Sequence, residues 1–174
     1  MANHRPYNFR GFTLLEALIY ISIVLIISAT ALYFFNWSLN ANTKIKTKQE
    51  VLDNGERVLR ILGSEIRNSL SIYTPTSLLN NDSGQISIET TQDLPNQENI
   101  TYHDIFLDPT NQTIFLKQEG QPAIPLTSTR VAAQKLNFQL IENSLVVDLT
   151  LQDKITSKNQ LTSTINWQTT ISLR

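Results

Sequence analysis

The chain contains no cysteine. No disulfide can brace it, and a zinc site of the usual Cys/His kind cannot be built. A domain of this chain outside the cytoplasm must be held by its core alone. Histidine occurs only at His4 and His103, which leaves a Ser/His/Asp triad little to rest on. Neither GxxxxGK[ST] nor GxGxxG is present, so no phosphate cradle is indicated. Asp82, Asp93, Asp104 and Asp108 lack calcium-loop spacing and read as ordinary turn residues. The formal net charge is −1. No basic surface follows from it, which disfavours nucleic acid as a partner and leaves room only for a local patch. No catalytic residue, cofactor, metal site or small-molecule substrate is indicated. Two further absences are local. No proline occurs between Pro6 and Pro75, and no charge occurs from residue 17 to residue 35.

The uncharged run belongs to FTLLEALIYISIVLIISATALYFF, which begins at Phe12. A helix rises about 1.5 Å per residue and a bilayer core is about 30 Å thick, so about 20 such residues cross it. Lipid offers the backbone no partner but itself, so the segment is expected to be helical. Residues 1–11, MANHRPYNFRG, hold Arg5 and Arg10 and no acid; they are expected to stay cytoplasmic and send the C-terminus out. Tyr33 and Trp37 fall where the outer interface should lie. Glu16 interrupts the pattern at its start, and a carboxylate at the edge of a span is a functional candidate. An ordinary signal peptide cut at Ala29-Thr30-Ala31 is the rival reading. Glu16 and the continuation of the apolar run through Phe35 argue against it.

Beyond the span, Val51, Val58, Leu59, Leu62, Ile66 and Leu70 form one stripe of a 3.6-residue helix. Asn54-Gly55 is a candidate break, but the stripe keeps its phase across it. The spacing predicts one continuous helix from Phe12 to about Ile72, with Val58, Leu59, Leu62 and Ile66 facing a sheet. Residues 74–84 read as a loop. Alternating segments follow at Gln85–Thr90 (Ile86, Ile88), Ile100–Leu107 (beginning Ile100, Tyr102) and Thr113–Gln118 (Ile114, Leu116). Further on come Lys135–Ile141 (Leu136, Phe138, Leu140), the run Leu145, Val147, Leu149, Leu151, and Thr164–Leu173 (Ile165, Trp167, Ile171, Leu173). Asp108-Pro109-Thr110-Asn111 and Glu142-Asn143 read as turns. One long helix and then six or seven strands imply an α+β fold with a largely antiparallel sheet.

Arg10-Gly11-Phe12-Thr13-Leu14-Leu15-Glu16 closely resembles the processing site of type IV prepilins. The resemblance implies cleavage by a prepilin peptidase between Gly11 and Phe12, N-methylation of Phe12, and a filament-docking role for Glu16. It implies four segments: a leader at 1–11, a transmembrane helix at 12–37, the outer half of a long helix at 38–73 and a pilin-like β-rich domain at 74–174. It also implies a single-pass place in the cytoplasmic membrane, then in a filament at the cell surface or in the periplasm. The partners implied are other pilin or pseudopilin subunits. The segments ERVLRILGSEIRNS (56–69), ITYHDIFLDPTNQTIFLKQEG (100–120), PLTSTRV (125–131) and LNFQLIENSLVVDLTL (136–151) resemble minor pilins of the PilW type and J-type minor pseudopilins of type II secretion. The span lacks a central proline and the chain lacks a C-terminal cysteine pair, which favours a minor subunit over a main shaft subunit. Pilus extension, competence, adhesion and protein secretion all use such subunits. The alternative is a singly anchored binding module that never joins a filament.

Overall fold

A computed structural model describes residues 13–94, 99–154 and 163–173. Helix α1 spans Leu14–Asn68. Eight strands follow among the described residues: β1 Ser71–Ile72, β2 Gln85–Thr90, β3 Thr101–Asp108, β4 Thr113–Gln118, β5 Ile124–Pro125, β6 Val131–Ile141, β7 Ser144–Asp153 and β8 Thr164–Ser172. All pairings between strands are antiparallel, which gives the α+β arrangement of a pilin-like fold. The chain divides into two compact units, Met1–Thr43 and Lys44–Arg174. Helix α1 contributes to both.

In the first unit the described residues are helical from Leu14 onward, and their apolar side chains are exposed. Several polar side chains in this stretch bond to the helix itself. Ser22 Oγ donates to the Leu18 carbonyl at 2.8 Å, Thr30 Oγ1 to those of Ile27 and Ile26 at 2.9 and 3.1 Å, and Asn36 Nδ2 to that of Leu32 at 3.0 Å. Such back-bonding hides donors that an apolar solvent would leave unpaired. The helix is long and apolar enough to cross a membrane.

The second unit is built around the outer stripe of α1. Val51, Val58, Leu62 and Ile66 are buried against residues of both sheets. One sheet has the order β1-β2-β3-β4-β5 and the other β6-β7-β8. The first contributes Ile86, Ile88, Ile105, Leu107, Ile114 and Leu116 to the core; the second contributes Leu136, Phe138, Leu145, Val147, Leu149, Leu151 and Ile171. The two are joined by the loop before β2, which lies along β6: Asn80 N–H donates to the Phe138 carbonyl, Gly84 N–H to that of Leu136, and Leu136 N–H to that of Asp82. Gly84 must be glycine for this approach, because a Cβ there would meet the Leu136 carbonyl oxygen at 2.6 Å.

Asn54 and Gly55 do not break α1; both are buried contacts. Asn54 Nδ2 donates to the Glu50 carbonyl, and its Oδ1 accepts from the Ser128 N–H at 2.8 Å. Gly55 makes room for the Trp167 indole, whose Cε2 would lie 2.9 Å from an added Cβ, with Cζ2 and Cη2 closer still.

The structure departs from the sequence reading in four places. Helix α1 ends at Asn68 rather than near Ile72. Ser69 turns its hydroxyl to the Ile66 carbonyl, Leu70 N–H donates to Glu89, and Ser71 and Ile72 pair with Glu89 and Ile88. Leu70 therefore leaves the stripe and is exposed. In β3 the inward row is Thr101, His103, Ile105 and Leu107, not the row of Ile100 and Tyr102. β6 begins four residues before the expected Lys135, and its Leu140 is exposed near the hairpin. The two-residue strands β1 and β5 had no counterpart in the reading.

Candidate functional site

Of the residues singled out by the sequence, Gly11 and Phe12 lie outside the described residues, and Glu16 lies in the first turn of α1. Thr13 precedes the helix as its N-cap. Its Oγ1 accepts the Glu16 N–H at 3.3 Å, and its carbonyl accepts the Ala17 N–H at 3.1 Å. Thr13-Leu14-Leu15-Glu16 thus has the spacing of a capping box, in which a threonine hydroxyl satisfies the amide three residues on and an acid occupies that third position. The sequence reading missed this role for Thr13, although the T-x-x-E spacing before an apolar run was there to be seen. Glu16 also places its negative charge where the helix dipole is positive. The glutamate that opens the span therefore has local stabilisation that owes nothing to a partner.

The second unit brings its ionisable groups together less pointedly. His103 and Asp104 are neighbours in sequence but point to opposite faces of β3. His103 is buried, with Nδ1 2.9 Å from Glu65 Oε2 on α1, and its Nε2 has no partner among the described residues. On the outer face Tyr102 packs edge-on against Tyr73, and its hydroxyl reaches Glu89. Desolvation by its surroundings, then the charge of Glu89, raises the Tyr102 phenol above its ordinary value of 10.0. Asp108 serves a turn, and Asp82 reaches Lys135 and Asn137 on β6. Lys135 and then Asn137 hold Asp82 below 3.8, and the Thr110 amide and then the Asn111 side chain do the same for Asp108. Among the described residues no three histidine or acidic side chains gather where they could hold a metal ion.

Residues 7–32 match the family model of the prokaryotic N-terminal methylation motif. The matched segment takes in Gly11, Phe12, Thr13 and Glu16 and supports a type IV prepilin-like protein. The match ends at residue 32 and does not reach the strands. No curated protein and no solved structure matched the chain.

Proposed function

We propose that the chain is a minor pilin or pseudopilin subunit, which helps to start, cap or stabilise a filament of a type IV pilus, competence or type II secretion system. The observation that carries this reading is the methylation motif at residues 7–32, continuous with a long apolar helix that begins at Leu14. In this reading a prepilin peptidase removes residues 1–11 and methylates the amine of Phe12. Residues 12–37 anchor the protein in the cytoplasmic membrane and later bundle with other subunits, while the β-rich part lies outside. Glu16 meets the Phe12 amine of a neighbouring subunit and sets the register of docking. The chain acts as a structural subunit and needs no catalytic group.

The test is mass spectrometry of the membrane-extracted protein. An N-methylated Phe12 terminus is expected. A terminus at Met1, or at Leu32 as a signal-peptide cut would leave, overturns the reading. Copurification with sheared filaments or with other prepilins separates a filament subunit from a singly anchored binding module.

A further inference from the structure

The second unit has two ends along α1. At one end Ser128 bonds to Asn54 and Glu50, and Arg130 lies 3.6 Å from Glu50. β6 starts beside Arg130 and advances about 33 Å to Ile141. There the β6–β7 hairpin meets the other end of α1: Leu140 and Glu142 line a groove with Ile66, Leu70 and Leu173. The Leu173 N–H donates to the Asn143 carbonyl at 2.8 Å, which ties the end of β8 to the hairpin. Leu70, Leu140 and Ile141 are exposed. Glu142 at the turn is exposed too, and it has no ion pair among the described residues. The Glu50 end carries a second groove, lined by Phe115, Pro125, Thr127, Ser128 and Lys154. Pro125 and the adjoining Ile124 are exposed. Lys154 Nζ donates to the Asn111 carbonyl at 2.8 Å, which holds its charge at this groove. Each groove sets exposed apolar groups beside one charged side chain, negative at one end and positive at the other.

We infer that the Glu142 end of one copy docks head to tail on the Lys154 groove of a second copy of this chain. Exposed apolar side chains gathered in one place mark interaction sites. In the docked pair Leu70, Leu140 and Ile141 of one copy cover Phe115, Ile124 and Pro125 of the next. Glu142 comes to Lys154. The charges decide which ends meet more than they add affinity, which comes from the apolar groups removed from water. The inference rests on the filament reading proposed above, in which every copy has the same sense. That sense brings unlike ends together along the filament axis. Contact between two Glu142 ends needs copies of opposite sense and sets like charges together. A contact between different patches of one chain also does not close on itself, so it repeats from copy to copy, whereas a two-fold contact through a single patch stops at two.

The chain has no cysteine, so single introduced cysteines report contacts without background. Ile141→Cys and Ile124→Cys are placed in separate, differently tagged full-length copies, produced together in the host and treated with a short bismaleimide. Lys117→Cys, exposed on β4, replaces Ile124→Cys as the control. Dimers carrying both tags are expected from Ile141→Cys with Ile124→Cys in the sheared-filament fraction. Severalfold less dimer is expected with the control or from either variant alone. Adding Glu142→Lys to the Ile141→Cys copy should cut the mixed dimer severalfold; an unchanged yield overturns the charge matching of the two ends. Equal dimer from Ile141→Cys alone means that like ends meet, and equal dimer from the control means unspecific contact; either overturns head-to-tail docking. No mixed dimer among copies recovered in the filament fraction overturns the docking and leaves the filament reading standing. An N-terminal peptide that still begins at Met1, with no copies in that fraction, overturns the filament reading and the docking with it.

Discussion

Gly55→Ala sets two opposing effects against each other at one site. In a helix interior alanine is ordinarily better than glycine by about 1 kcal/mol, because it restricts the unfolded chain and suits the helical backbone. Here the added methyl would meet the Trp167 ring at 2.9 Å from Cε2 and nearer still to the two carbons beyond it. The nearest atoms are the rigid six-membered part of an indole that packs against the core, so the ring must leave its place or α1 must lift. Overpacking of this kind costs about 1–3 kcal/mol, sometimes more, and it outweighs the helical gain. The expected result is a net loss of up to about 2 kcal/mol. At about 2–8 °C per kcal/mol across small and mid-sized domains, the melting temperature should fall by several degrees. The assay is thermal unfolding of the full-length protein in detergent, followed by circular dichroism. The decisive arm is a double-mutant cycle. With Trp167→Ala in place the obstacle is gone, and Gly55→Ala should then stabilise by about 1 kcal/mol. Stabilisation by Gly55→Ala in both backgrounds would refute the argument, since the ring would then be moving aside without cost.

Glu65→Ala leaves His103 Nδ1 buried without its carboxylate, beside an Nε2 that already has no partner; a loss of about 1–3 kcal/mol is expected in the same melts, and Glu65→Gln should recover part of it. The depressed Asp82 and Asp108 carboxyls contribute stability that is present above their unfolded value of 3.8 and is lost as pH falls through their folded values. The Asp82→Asn/Asp108→Asn double variant should therefore show a shallower decline in melting temperature below pH 3.8, and an unchanged decline would assign the acid sensitivity elsewhere. Glu16→Gln should leave membrane insertion and leader removal intact while reducing recovery in filaments, whereas Thr13→Val should not reduce that recovery; equal loss in both variants would make helix capping the reason for the glutamate.

The elements legible in the sequence are those whose pattern is carried by neighbours along the chain. The stripe of α1 shows its period in Val51, Val58, Leu62 and Ile66, all buried as expected. β2 and β4 begin and end where their alternation says, and Leu145, Val147, Leu149 and Leu151 on β7 are fully buried. Where the reading slipped, the deciding partner is remote. The inward row of β3 includes Thr101 and His103, whose hydrogen-bond partners are Glu119 and Glu65, and no local hydrophobic count finds them. Asn54-Gly55 looks like a turn because the groups that explain it, Ser128 and Trp167, lie more than 70 residues away. β1 exists only through its pairing with Glu89 and Ile88. At the N-terminus the balance is reversed. The methylation motif and the capping box are both short-range patterns, and they share Glu16.

That overlap raises the question of whether capping alone accounts for a carboxylate at the start of the span, and magnitudes decide it. A good N-cap contributes about 1 kcal/mol, but most of that belongs to the Thr13 hydroxyl and its bond to the Glu16 amide, which any residue at position 16 would supply. What the glutamate side chain adds is its interaction with the helix dipole, about 0.3–1 kcal/mol. An ionised acid at the centre of a span costs about 2.5–3.5 kcal/mol on insertion scales, and less towards the interface. At the interface the dipole covers most of the cost, and no partner is needed. In the proposed filament core, water and headgroups would no longer reach the first turn, and the dipole would fall short by about a kcal/mol or more. A positive group from outside the helix then becomes favourable, and the amine created at Phe12 by the proposed cleavage is such a group. The same glutamate is thus tolerable in a membrane and would want a partner in the proposed filament, which is the property the proposed docking role requires.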